Sequence, residues 1–295
     1  MAHIGLKYIP NLSKFQYSYG ILKRYNYCSY KLIVLAKRRR PGYEEKSRLP
    51  AREKGTVNES KLKNSLSRTK STIYELAACN PWDWFVTFTL DKNKYDRTDL
   101  PKFQKDLSQF IRDFRKKTGA QVKYMLIPEQ HKDGCWHMHG FLMGLELEHL
   151  HEFQSTEHLP YKILNRLAQG KHVFDWPAYS KKFGFSDIEM IENNDAASKY
   201  ITKYITKEAM CTIKALNAHI FYASKGLRRA TVIKQGTLAY GLDNPDFEND
   251  YCAIQWFDNI GAPSTYFSEP EYYFNSESEV NESLPCLPQT ISATG

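Results

Sequence analysis

The sequence has no paired cysteines, no long apolar run and, near its end, no positive charge. Cys28, Cys79, Cys135, Cys211, Cys252 and Cys286 stand singly with no Cys-x-x-Cys pair, and no secretory signal is read at the start. That fits a reducing cytoplasm, and a bacterial host cell is the expected compartment. No apolar run approaches the ~18–20 residues needed to cross a bilayer, the longest being the brief Leu32–Ala36, so no membrane is expected among the partners. A phosphate-binding G-x-x-x-x-G-K-S/T loop is missing as well. Gly170-Lys171 is followed by His172 and lacks the preceding glycine, which argues against an attached ATP-driven helicase.

What is present is a basic body with an acidic end. The 295 residues carry a net charge of +8, with 42% apolar content, enough for a sizeable core. Basic residues outnumber acidic ones 17 to 5 over residues 1–80 and 24 to 18 over 81–240, whereas residues 241–295 hold 10 acidic residues and no basic one. Such a split suggests a polyanionic partner. Three regions follow: a basic N-terminal extension (1–59), a central domain (60–240) and an acidic, poorly ordered tail (241–295). In the first, the run Arg38, Arg39, Arg40 with interleaved tyrosines suits phosphate contacts and base stacking.

Periodicity organises the central part. Leu66, Ile73, Leu76 and Ala77 predict a helix that stops at Asn80-Pro81. Residues 84–90, WFVTFTL, predict a strand, and residues 99–118 an amphipathic helix capped by Asp99 and ended by Gly119. Two apolar runs around Lys132-Asp133-Gly134 predict a hairpin. Residues 145–169 read as mainly helical, 183–191 as a strand, 195–210 as a helix and 220–223 as a last strand. The order implies an α+β fold with one central antiparallel sheet flanked by helices.

Two stretches carry chemistry. In the second strand of the hairpin, His137 and His139 project to the same face, because alternate residues do, and antiparallel pairing brings Glu129 beside them. Two neutral imidazoles and a carboxylate make a candidate site for a divalent ion. His131 shares strand parity with Glu129 and is the alternative third ligand; the carboxylate suits a hard Mg2+ or Mn2+ better than a third imidazole. On the later helix, Tyr200, Lys203, Tyr204 and Lys207 fall within one arc. A phenol with a pKa near ~10 is a poor nucleophile toward a phosphodiester unless the phosphorus is made more electrophilic. A bound ion meets that need, and lysines on the same face can hold neighbouring phosphates.

His137-Met138-His139, the threonine-bearing strand before it and Tyr200-Ile-Thr-Lys-Tyr204-Ile-Thr-Lys207 resemble, in this order, the HUH endonuclease superfamily, in particular the two-tyrosine rolling-circle replication initiators of bacteriophages and plasmids. The resemblance spans about residues 60–240 and implies a ferredoxin-like or RRM-like sheet. It also implies that His137 and His139 bind Mg2+ or Mn2+ with Glu129 as third ligand. One of Tyr200 and Tyr204 would attack the scissile phosphate of single-stranded or hairpin origin DNA, leaving a 5′-phosphotyrosyl link and a 3′-hydroxyl. Lys203 and Lys207 would assist, and a host helicase and polymerase would be partners. The turn carrying Lys225, Arg228 and Arg229 is an expected DNA contact, with a solvated hairpin turn as the plain alternative. Other readings remain open here: a transposase or relaxase of the same superfamily, a DNA-binding regulator without catalysis, and an iron oxygenase, which the basic body disfavours.

Overall fold

Apolar residues at every second position, or at every third and fourth, divide the chain into short strands and helices. The computed structural model describes residues 17–26, 29–36, 59–202, 220–239, 241–242, 244–248 and 252–267. In order come strands β1 (Tyr17–Arg24) and β2 (Tyr30–Ala36), helix α1 (Glu59–Ala78), β3 (Trp84–Thr89), α2 (Leu100–Thr118), β4 (Lys123–Gln130) and β5 (Trp136–Met143). After a 3-10 turn at Leu147–His149 follow β6 (His151–Glu152), α3 (Tyr161–Ala168), β7 (Val173–Asp175), α4 (Pro177–Lys182), β8 (Ser186–Met190) and α5 (Asn194–Ile201). Strands β9 (Tyr222–Ala223), β10 (Thr231–Gly236), β11 (Phe247–Glu248) and β12 (Cys252–Phe257) and a one-turn helix at Gly261–Ser264 complete the described elements.

These form two compact units, one of them Glu53–Arg228. Its seven-stranded antiparallel sheet has the order β6-β7-β8-β3-β5-β4-β9. The alternation in β3 decides the layers. Trp84, Val86 and Phe88 are buried on one face with Met138, Leu142 and Ile188, under Phe103, Leu107, Phe110 and Ile111 of α2 and Tyr179 of α4. Each apolar side chain of the size of Phe88 or Ile111 taken out of water stabilises by about 1.5–3 kcal/mol. Helix α2 is well bounded: Asp99 accepts from Lys102 N at 2.9 Å, and Gly119 ends it at φ 80 with its N–H on Arg115 O. The opposite face is only partly apolar. Ile73, Leu76 and Ala77 of α1 and Ile201 of α5 pack there on Met125, Ile127 and Phe141.

The β4–β5 hairpin is held close by Gly140, where a Cβ would stand 2.0 Å from the Met125 carbonyl oxygen and 2.9 Å from Leu126 Cα. On the outer side of β4, β9 pairs only with Met125 and Leu126. Tyr124, whose carbonyl accepts from Ser224 N, and Pro128 have the same parity, so the position where Pro128 lacks its N–H also faces outward.

The second unit differs from the expected extensions. Strands β1 and β2, from the expected basic arm, pair with β10 and with β12, from the expected acidic tail, in a five-stranded antiparallel sheet of order β10-β1-β2-β12-β11. Leu22, Leu32, Val34 and Ala253 are its buried apolar residues, together with Leu238 and Leu242. The helix expected over residues 145–169 is a second correction, because only Tyr161–Ala168 is a full α-helix. Pro160, extended at ψ 142, starts it and Gly170, at φ 76, follows it; the chain before Pro160 turns and pairs as β6 instead.

Candidate active site

The register of three adjacent strands builds the site. Thr87 pairs with His139 and Thr89 with His137 across β3 and β5; Ile127 pairs with His139 and Glu129 with His137 across β4 and β5. All these side chains point to the face that α1 and α5 cover at its other end. Thr87 Oγ1 lies 3.0 Å from His139 Nδ1, and Thr89 Oγ1 lies 3.0 Å from His137 Nδ1. Each hydroxyl fixes one ring nitrogen and thereby turns Nε2 away from the strand. Bonding of the far nitrogen is what a metal-binding histidine needs to keep its ring oriented.

Glu129 Oε2 lies 2.8 Å from His139 Nε2. With the imidazole proton on Nε2, this is a hydrogen bond to the carboxylate. With the proton on Nδ1, where Thr87 Oγ1 accepts it, an imidazole lone pair and a carboxylate converge on one spot, an arrangement that calls for a cation. Desolvation keeps both rings neutral: burial, helped by the neighbouring His131, pushes His137 down to about 4, and burial with His137, His131 and Lys162 pushes His139 down to about 3. The donor chemistry therefore fits a divalent ion. The spacing is looser. Among the described residues, the His, Cys, Asp and Glu ligand atoms that lie mutually within 4.8 Å are those of Glu146, Glu148 and His149, so at least one pair within Glu129, His137 and His139 is wider. Closure of all three on one ion requires a side-chain shift. His137 has a reason to sit apart, since its ring is stacked on His131 at 3.8 Å and 16°. His131 thus meets the histidine row as a stacking partner, while Glu129 is the group that reaches a ring nitrogen.

Tyr200 lies on the same face, 44% exposed, with its ring 5.6 Å from that of Phe85 in an edge-on contact. Phe85 is two positions before Thr87 in β3, so phenol and histidine row share one side of one strand. Helix α5 is anchored below it. Asn193 caps it by accepting from Ala196 N at 2.9 Å, and Asn194 donates to the carbonyls of Ala77 and Asn80. Lys203, Tyr204 and Lys207 lie outside the described residues, as do Arg38, Arg39 and Arg40.

Lys225, Arg228 and Arg229 are exposed or partly so. Buried Asn80 holds this turn with two bonds to the Arg228 backbone, accepting from its N–H at 2.9 Å and donating to its carbonyl at 3.0 Å. Gly226 supplies φ 75 at its tip. Lys225 and Arg228 thus follow β9 in the same unit as the histidines.

Sequence reasoning missed the floor beside β3. Asp187, paired with Thr87, and Glu189, paired with Phe85, lie on the site's face, and both are held by Arg166 of α3, with Nη2 2.6 Å from Asp187. Burial raises the Asp187 carboxyl despite the guanidinium. Arg166 engages both carboxylates and so keeps them from competing for the ion. Lys162, one turn earlier on α3, is exposed and close enough to His139 to disfavour its protonation. Spacing within α3 put Lys162 and Arg166 on one face, but nothing local tied that face to β8. The threonines were visible as alternating polar positions; their pairing with the histidines needed the register.

Among the described residues no helix is long and apolar enough to cross a membrane. No curated protein and no solved structure matches the chain. The stretch that carries the histidine row, α3 and Tyr200, residues 83–209, matches the "Replication-associated protein ORF2" family.

Proposed function

We propose that the protein initiates rolling-circle DNA replication by nicking and rejoining a single DNA strand through a phosphotyrosine. The observation that carries this reading is the shared face of β3, where Thr87 and Thr89 orient His139 and His137 and Phe85 seats Tyr200. The similarity of residues 83–209 to replication-associated proteins supports it independently.

His137, His139 and Glu129 would hold Mg2+ or Mn2+, which supplies Lewis acidity toward a phosphate oxygen when bound. The chain's residues do the rest. Thr87 and Thr89 keep the imidazoles turned, and Arg166 keeps Asp187 and Glu189 occupied. Lys162, with Lys203 and Lys207, offsets phosphate charge. The Tyr200 oxygen forms a bond to phosphorus as the bond to the 3′-oxygen breaks. The phenol proton leaves, and the 3′-oxygen is released as a hydroxyl that can prime synthesis. Tyr204 would take the second attack, so that strand transfer needs no hydrolysis. Host helicase and polymerase would act on the product.

Incubation with single-stranded oligonucleotides and Mn2+ should yield a denaturation-resistant protein–DNA adduct. Chelator and the Tyr200→Phe, Tyr204→Phe double change should abolish it. A protein that binds DNA yet forms no adduct with any divalent metal is a binding module instead. An adduct surviving the double change means another nucleophile.

A further inference from the structure

The histidine row has a neighbour that its chemistry leaves unused. Where β3 ends, a cavity of about 510 Å3 opens, lined among others by Thr89, Lys92, Lys94, Arg97, Phe153 and Phe185. Its size falls in the roughly 300–1,000 Å3 range of small-molecule sites. Thr89 belongs to both places, since its hydroxyl contacts His137 Nδ1 at 3.0 Å while the residue forms part of the cavity wall. Phe185 has the parity of Asp187, and its carbonyl accepts from Thr89 N at 2.9 Å, so it continues the face of the sheet on which the site lies.

Two kinds of surface meet in this cavity. One wall is flat and apolar, because the rings of Phe153 and Phe185 lie parallel, 9° apart with centroids at 5.5 Å, and Phe153 is buried behind a cluster that includes Ile163 and Val173. The other is cationic. Lys92 is exposed, Lys94 reaches the Ser180 carbonyl at 2.9 Å, and Arg97 lies 3.7 Å from Asp133. The two carboxylates in the lining are engaged in the wall itself. Asp91 accepts from Asn93 N at 2.9 Å, and Asp175 accepts from the hydroxyls of Ser180 and Ser186. Gly184, at φ 152, closes the base of the cavity: a Cβ there would stand 2.4 Å from Asp91 N and 2.6 Å from the Thr89 carbonyl oxygen. An inorganic anion would need the cations but not the aromatic wall, and an apolar ligand the reverse. A nucleotide uses both.

We propose that this cavity receives one unstacked nucleotide of single-stranded DNA, its base against Phe185 and its phosphates beside Lys92, Lys94 and Arg97. The proposal rests on the nicking reading only for its substrate, and it adds a place where the strand is gripped next to the phosphate held at His137 and His139. Stacking on an aromatic ring needs no particular base and tolerates sequence, whereas each cation neutralising a phosphate adds salt dependence.

The test uses the full chain in chelator, so that binding is read without cleavage, with two fluorescent probes: a short oligothymidylate and an abasic deoxyribose-phosphate strand of the same length. The unaltered protein should favour the thymidylate by roughly 5- to 100-fold. Phe185→Leu, which keeps apolar volume but removes the flat ring, should cut that ratio by at least about fivefold. Lys92→Ala should keep the ratio and lower the slope of log affinity against log salt by about 0.7. A folded Phe185→Leu protein with an unchanged ratio overturns the proposal, as does an unchanged salt slope in Lys92→Ala. The adduct assay runs separately on the same proteins. An adduct with no change in the ratio removes the cavity and leaves the nicking reading, whereas a ratio that falls without any adduct removes the nicking reading and leaves the cavity as a DNA grip.

Discussion

The two faces of the seven-stranded sheet are made by the same strands and differ by one residue of parity. On one, Trp84, Val86, Phe88, Met138 and Leu142 are sealed under α2 and α4. On the other, Phe85, Thr87, Thr89, His137 and His139 alternate with them, and apolar cover from α1 and α5 extends only as far as Ile127, Phe141 and Ile201. The first face is closed to solvent and spends its side chains on stability. The second keeps partly exposed imidazoles and a phenol in a fixed frame, which is what a site for a charged substrate needs. A single strand can serve both ends because its pleat separates them.

Changes on the two faces should therefore separate stability from chemistry. Phe88→Ala, which empties a fully buried position stacked on Tyr179 at 4.3 Å, should lower unfolding free energy by about 3–5 kcal/mol in urea titration. Gly140→Ala lies between the faces. Its added Cβ meets β4 backbone, so about 1–3 kcal/mol of destabilisation is expected, with the Glu129–His139 contact disturbed and metal affinity lowered in calorimetry. Asn80→Ala should cost about 1–3 kcal/mol by leaving the Arg228 N–H without its buried acceptor, and amide exchange should rise at Arg228 first. Thr87→Val and Thr89→Val should move stability by about 1 kcal/mol or less, yet reduce metal affinity and adduct yield some 10- to 100-fold. Equal losses of stability and metal affinity from Phe88→Ala and Thr87→Val would erase the distinction between the faces.

Much of this was legible in the chain. The polar turn at Lys132-Asp133-Gly134 and the parity of Glu129, His137 and His139 foretold the hairpin and its pairing, because those contacts are local. The Asp99 cap and Gly119 bounded α2 for the same reason. The second sheet was not legible. Its strands come from opposite ends of the chain, and in Tyr17–Arg24 the Tyr, Lys and Arg content masked Leu22, whose burial depends on strands more than 200 residues away. Arg166 is another such case: an arginine on a short helix looks solvated until β8 brings Asp187 and Glu189 beneath it.

Pro128 gives the β4 edge a further property. Strand β9 covers Met125 and Leu126, and the next outward-facing amide position along β4 is a proline. A second polypeptide extending that ladder would meet a pyrrolidine ring where it needs a donor, two steps from the end of the paired segment. Growth of the sheet is thus stopped just short of Glu129. The end of the strand that carries the carboxylate is kept from becoming a protein–protein seam and stays available to a nucleic-acid backbone.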